Sequence, residues 1–189
     1  MYLIQGIVLL LLSVSVQSRS IRHPLKDVIQ RALNSFQKST CIRFIPRTTE
    51  ENYIDIISDK GCYSYVGRIN GKQALSIERN GCVYHQTVQH ELLHALGFDH
   101  EQCRSDRDEH VKILFENIEA DYKFAFNRIA TNNLNTPYDY NSVMHYHRFA
   151  FSKNNEPTII PIADNNVPIG LATEMSSNDI LRVNSLYCT

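Results

Sequence analysis

The sequence is poor in the residues that loosen a chain, with 7 glycines and 6 prolines among 189 residues. It also has no low-complexity stretch and no internal repeat, which excludes collagen-like, linker-like and solenoid architectures. Charge of either sign is not in excess: 19 Lys and Arg stand against 20 Asp and Glu, for a formal net charge of -1. Without a basic block, nucleic acid and anionic membranes are excluded as main partners. Apart from one N-terminal run, itself too short, no segment approaches the roughly 20 apolar residues that a membrane span needs. No Asn-x-Ser/Thr acceptor occurs, so N-glycosylation is not expected.

The exception is Ile7 to Val16, an apolar run with Val-Leu-Leu-Leu-Leu at its centre. Small residues at Val16-Gln17-Ser18 suit a cleavage site, so residues 1–18 read as a secretory signal peptide, although no Lys or Arg precedes the run. Removing it leaves about 170 residues, enough for one domain with a substantial core. Five cysteines remain, Cys41, Cys62, Cys82, Cys103 and Cys188, and a secreted chain is expected to pair them. Five choices of odd cysteine and three pairings of the rest leave fifteen connectivities open.

Hydrophobic spacing organises the rest. Leu25, Val28, Ile29, Ala32, Leu33 and Phe36 recur at helical intervals, predicting an amphipathic helix over 25–39, with Pro24 at its first turn. β-Branched and aromatic content predicts strands at 40–46, 53–57, 62–67 and 74–77, with Asn70-Gly71 as a turn. A helix is expected over 85–97, then, after a polar stretch, the apolar Ile113–Phe115, a helix near 118–129 and a loop over 130–140. Ser176 to Tyr187 reads as a final helix, with Ser176 and Asp179 as a capping box. This order of elements fits an α+β fold.

The chemistry gathers in His90-Glu91-Leu92-Leu93-His94-Ala95-Leu96-Gly97-Phe98-Asp99-His100. Residues four apart share a helix face, so His90 and His94 can offer two imidazoles to one point. Gly97 tolerates the positive φ with which a chain leaves a helix, and the turn brings His100 back as a third ligand. Three protein ligands leave one position open, as in a catalytic rather than a structural zinc site, and imidazole favours zinc over hard cations. Glu91, beside the first ligand, is placed to act as general base on a water activated by the metal. Two surface histidines on an ordinary helix would explain neither Gly97 nor the third spacing. The other histidines, His23, His85, His110, His145 and His147, lack ligand spacing and receive no catalytic role.

The extended motif, followed by Ser142-Val143-Met144-His145-Tyr146, resembles the metzincin metalloproteases. The run His100-Glu101-Gln102-Cys103-Arg104-Ser105-Asp106-Arg107-Asp108 narrows the resemblance to the astacin family, in particular its hatching-enzyme-like group. Cys41 to Arg47, Gly61 to Gly67 and Asn80 to His85 also resemble astacin segments, in that family's order, so the likeness runs from about Leu25 to Cys188. It implies a two-lobed α+β metzincin domain over 24–189, with one zinc at the bottom of a cleft, held by His90, His94 and His100. Glu91 is then the general base. Tyr146 becomes a displaceable fifth ligand whose phenol stabilises the tetrahedral intermediate, and Met144 the Met-turn residue beneath the metal. Disulfides Cys41–Cys188 and Cys62–Cys82 are implied, worth roughly 4–5 and 3 kcal/mol in the chain-entropy model. Cys103 is left over, either as a buried space-filling thiol or as a reactive one. Arg104, Asp106, Arg107 and Asp108 would support the loop carrying His100, and Glu101 would meet a processed N-terminus. Lys72 to Ile77 would bind substrate as an added strand.

Together these readings predict a secreted, monomeric zinc endopeptidase acting on proteins, with egg-envelope or extracellular-matrix components as candidate substrates. That family's propeptide and N-terminal mature segment have no counterpart ahead of Pro24, which predicts an enzyme without latency. The competing expectation is an inactive zinc-binding pseudoprotease serving as a binding module. A disulfide-rich structural domain would not need Glu91 between two histidines.

Overall fold

A computed structural model describes residues 11–16 and 24–188. Its contacts divide the chain into two units, residues 1–98 with 179–189, and residues 99–178.

The first unit is built on a five-stranded sheet. Its strands are β1 (Leu11–Val16), β2 (Arg43–Pro46), β3 (Tyr53–Ile57), β4 (Cys62–Ser64) and β5 (Lys72–Ile77), in the order β2-β1-β3-β5-β4. β1 pairs in parallel with both β2 and β3, β3 in parallel with β5, and β4 antiparallel with β5. The apolar run read as a leader therefore supplies a strand here, and Val14 is buried in the core. An unbroken β-branched and leucine-rich run suits a strand paired on both edges as well as it suits a leader. Residues 1–10 and 17–18 of that run, and His23, lie outside the described residues.

Helices complete this unit. α1 (Pro24–Ser39) buries Leu25, Ile29, Ala32 and Phe36, the stripe its spacing predicts. Phe36 meets Phe44 of β2 edge-on, with ring centroids 5.4 Å apart. α2 (His85–Ala95) is buried on nearly every side, through Val88, Gln89, Glu91, Leu92, Leu93, His94 and Ala95. Gln89 Nε2 donates to Ser35 Oγ of α1 at 2.8 Å, so a buried amide is satisfied between the helices. α3 (Ser177–Tyr187) closes the chain, and its Tyr187 hydroxyl donates to the Leu96 carbonyl. Disulfides join Cys41 to Cys188 and Cys62 to Cys82, leaving Cys103 free and buried.

The second unit has little regular structure. It contains β6 (Val111–Ile113) paired antiparallel with β7 (Ile159–Pro161), and short 3-10 turns at Glu101–Cys103, Arg107–Glu109 and Ala120–Phe126. Val111, Ile118, Phe126, Tyr138, Ala150, Ile159 and Ile169 form its core. The α-helix expected near 118–129 is not formed. Glu119 N–H donates to the Phe151 carbonyl and Ile118 bridges Ser152, while Arg107 takes the Phe126 carbonyl, so both ends of the segment are engaged elsewhere. Neither β6 nor β7 was foreseen. The α+β class holds, as a mixed sheet with helices and a separate irregular unit.

Candidate metal centre

α2 ends in a way that its sequence dictates. Gly97 N–H donates to the His94 carbonyl at 2.8 Å and Phe98 N–H to the Leu93 carbonyl at 3.0 Å, the bonding of a Schellman cap, with Gly97 at φ +92°. The Gly67 N–H reaches the same His94 carbonyl at 2.7 Å, and a Cβ added to Gly97 would lie 3.8 Å from the Gly67 Cα. Gly97 is thus needed for its left-handed turn, which starts the chain toward His100.

The three sequence-predicted histidines come together. His90 and His94 stand one turn apart with ring centroids at 4.6 Å, and His90, His94 and His100 present ligand nitrogens within 4.8 Å of one another. The His94 Nδ1 lies 2.8 Å from the Phe98 carbonyl oxygen. Since a carbonyl can only accept, Nδ1 carries the proton and Nε2 keeps its lone pair for a metal. Glu91, on the same helix, is buried, and its Oε2 has no hydrogen-bond partner. Burial pushes its carboxyl up to about 8. A buried carboxylate without a partner is costly unless a cation stands nearby, so the orphaned oxygen and the imidazole donor set both fit zinc.

In the second unit, Tyr146 lies against His100, ring centroids 4.4 Å apart. Two segments are laced together to hold it. Glu101 N–H donates to the Met144 carbonyl at 3.0 Å, and Tyr146 N–H donates to Gln102 Oε1 at 3.1 Å. Met144 is buried, and Ser142 Oγ accepts its N–H at 3.0 Å. Sequence reasoning missed Gln102, which is fully buried, because a glutamine in a polar run reads as solvated. It also set aside His145. That imidazole contacts the Tyr146 carbonyl through Nδ1 at 2.7 Å and the Tyr138 hydroxyl through Nε2 at 2.8 Å. Burial pulls its pKa down to about 4, so it is neutral and fixed in one tautomer.

The two arginines of the charge run after His100 are buried, whereas Asp108 reaches solvent. Arg104 holds Asp106 in a two-pronged pair (2.9 and 2.8 Å) and also donates to Glu101 Oε1 and the Thr136 and Pro137 carbonyls. The Arg104 bond keeps the Asp106 carboxyl below its ordinary range. Arg107 donates to the Gln102 and Phe126 carbonyls, each at 2.7 Å, and pairs with Asp108. Glu101 accepts from the Asp139 N–H at 2.7 Å besides Arg104. Cys103 fills space, its Sγ donating to the Ala125 carbonyl at 3.3 Å, and burial raises its thiol to about 12. The bland reading of this cysteine fits that setting.

One expectation is corrected. Lys72–Ile77 is not an edge strand, because β5 is paired with β3 on one side and β4 on the other. β4, which ends the sheet, carries the outer ladder edge. No local pattern signals this, since strand order is a long-range property.

A family model described as Astacin, a peptidase family, matches residues 15–188. High choriolytic enzyme 1 of Oryzias latipes is 54% identical over 160 residues, covering 84% of this chain and 59% of that protein. Low choriolytic enzyme from the same organism is 49% identical over 162 residues, covering 86% and 60%. Zinc metalloproteinase nas-13 of Caenorhabditis elegans is 49% identical over 166 residues, covering 86% and 36%. The chain thus spans less than two thirds of the length of these curated relatives. Among solved structures, high choriolytic enzyme 1, described as a hatching enzyme zinc-protease from Oryzias latipes, superposes with a TM-score of 0.91 at 49% identity, over 95% of this chain and 90% of that one. Myroilysin, at 17% identity and a TM-score of 0.65, shares the fold.

Proposed function

Because the chain belongs to the astacin family of peptidases, we propose that it is a zinc-dependent endopeptidase that hydrolyses peptide bonds in proteins. The observation that carries this reading is the convergence of His90, His94 and His100 beside the buried, partnerless Oε2 of Glu91. When bound, zinc supplies a Lewis acid that polarises a carbonyl and brings the pKa of water toward about 7. The chain's own residues do the rest. The three imidazoles hold the ion, and the Phe98 carbonyl fixes the tautomer of one of them. Glu91 takes the proton of the attacking water and hands it to the leaving amine. Tyr146 donates a hydrogen bond to the oxyanion that develops on the scissile carbonyl.

An extended substrate would add to the outer edge of β4, where main-chain bonds give affinity with little demand on sequence. The relatives named choriolytic and hatching enzymes support an egg-envelope protein as substrate. Secretion is supported by the two disulfides and the leader-like run. Among the described residues no helix is long and apolar enough to cross a membrane.

Casein digestion by the purified protein, with and without a chelator, tests the reading against Glu91→Gln. Cleavage should vanish on chelation, return with zinc, and fall about 10²- to 10⁴-fold in the variant. One zinc bound per chain without any cleavage would overturn the peptidase and leave a binding module.

A further inference from the structure

Phe151 stands at φ +52°, a left-handed backbone conformation that a bulky residue rarely takes. Its surroundings hold it there. The Phe151 carbonyl accepts the Glu119 N–H at 3.0 Å, Ser152 bridges Ile118, and Lys153 N–H donates to the Asn117 carbonyl at 2.9 Å. Its ring stacks on Tyr122 (centroids 4.5 Å, planes 22° apart) and stands edge-on to Phe126 at 6.1 Å. It also meets Tyr146, at 5.7 Å and a tilt of 54°.

This is an unusual use of a phenylalanine. A glycine would relax the turn, and the residue is still 36% exposed, so burial alone does not account for the ring. Strained residues persist where neighbours over-determine them, and they cluster at functional sites. Around Tyr146 the main chain is already fastened, its N–H to Gln102 and its carbonyl to His145. Its ring lies against those of His100, Phe126 and Phe151.

We propose that Phe151 is a positioning residue for Tyr146. Its ring, braced by Tyr122, is the stop against which the Tyr146 ring rests, and it sets where the phenol points. The proposal rests on the role given to Tyr146 above. A phenol that swings freely reaches the developing oxyanion less often, and misplacement by about 1 Å can cost up to about 10²-fold in rate.

The test measures kcat and KM on a peptide substrate for Phe151→Gly, Phe151→Tyr and Tyr122→Ala. Phe151→Gly removes the ring yet suits the backbone. It should lower kcat about 10-fold or more, change KM by no more than about twofold, and leave the melting temperature intact. Phe151→Tyr should restore the rate, and Tyr122→Ala, which removes the brace from another segment, should repeat the loss in milder form. In a Tyr146→Phe background, Phe151→Gly should have little further effect. A second readout needs no turnover. NMR of ring-labelled tyrosine in metal-free protein, with Tyr146 assigned by its loss in Tyr146→Phe, should show one fixed ring in wild type and averaged signals in Phe151→Gly. Unchanged kcat, a loss additive with Tyr146→Phe, or an unchanged Tyr146 signal would overturn the proposal. A fixed Tyr146 ring in a wild-type protein that cleaves nothing would defeat the peptidase reading and leave the positioning intact.

Discussion

In residues 11–98 the main-chain groups are satisfied mostly by one another, through a five-stranded ladder and two helices. In residues 99–178 turns and isolated backbone bonds replace long ladders, and buried side chains serve several of the remaining groups. Arg104 serves the Thr136 and Pro137 carbonyls, Arg107 those of Gln102 and Phe126, Glu101 the Asp139 N–H, and Gln102 that of Tyr146. Irregular backbone placed away from water needs such partners, because an unmet buried amide costs as much as a lost hydrogen bond. Both disulfides belong to the first unit, and the second keeps its one cysteine as a thiol. Ladders and crosslinks thus brace one unit, while the other adds a few buried charges to its small apolar core.

The sharpest way to break the contrast is to remove a crosslink. Replacing Cys41 and Cys188 together by serine opens a loop of 147 residues and should cost about 5 kcal/mol. A denaturant midpoint that hardly moves would deny the crosslinks their role. Arg104→Met asks whether one arginine matters nearly as much. It removes the guanidinium bonds to Glu101, Asp106 and the Thr136 and Pro137 carbonyls, for an expected loss of about 3 kcal/mol. A loss below about 1 kcal/mol in thermal or denaturant unfolding would rank the Arg104 pairs with exposed ion pairs despite their burial. Gly97→Ala, where a Cβ finds room but φ is wrong, should cost about 1 kcal/mol through backbone strain and disturb zinc affinity by shifting His100. An unchanged zinc affinity by chelator competition would separate the cap from the site.

The smallest effect concerns Cys103. Its folded pKa, about 12, lies above its ordinary value of 9.0, so the native state favours the protonated thiol. Its stabilising contribution is therefore complete below about pH 9 and is lost as pH rises toward 12. At pH 8 a thiol reagent should label native protein at least about 10²-fold more slowly than urea-unfolded protein. Equal rates would show the thiol to be exposed.

The sequence was legible where periodicity reports burial. α1 and α3 fell within a residue of their expected bounds, and α2 began where expected, because each carries caps or a regular stripe. The convergence of His90, His94 and His100 was legible for the same reason, since helical spacing plus one glycine defines their geometry. β1 was hidden by composition, because an apolar run serves a leader and a strand alike. N-terminal sequencing of secreted protein separates the two roles: a chain starting beyond Ser18 lacks β1, and one retaining Leu11 keeps it. The second unit was legible only through resemblance. Its order depends on contacts such as Gln102 with Tyr146 and Arg107 with Phe126, 44 and 19 residues apart, which leave no local periodicity.

The bond between Cys41 and Cys188 also makes almost the whole domain a covalent ring. A single cut anywhere between those two positions opens the ring without releasing a fragment. Nicked and intact molecules would therefore migrate together until reduced. One accidental cleavage is then a scar that the fold can carry, and only a second cut sets a piece free.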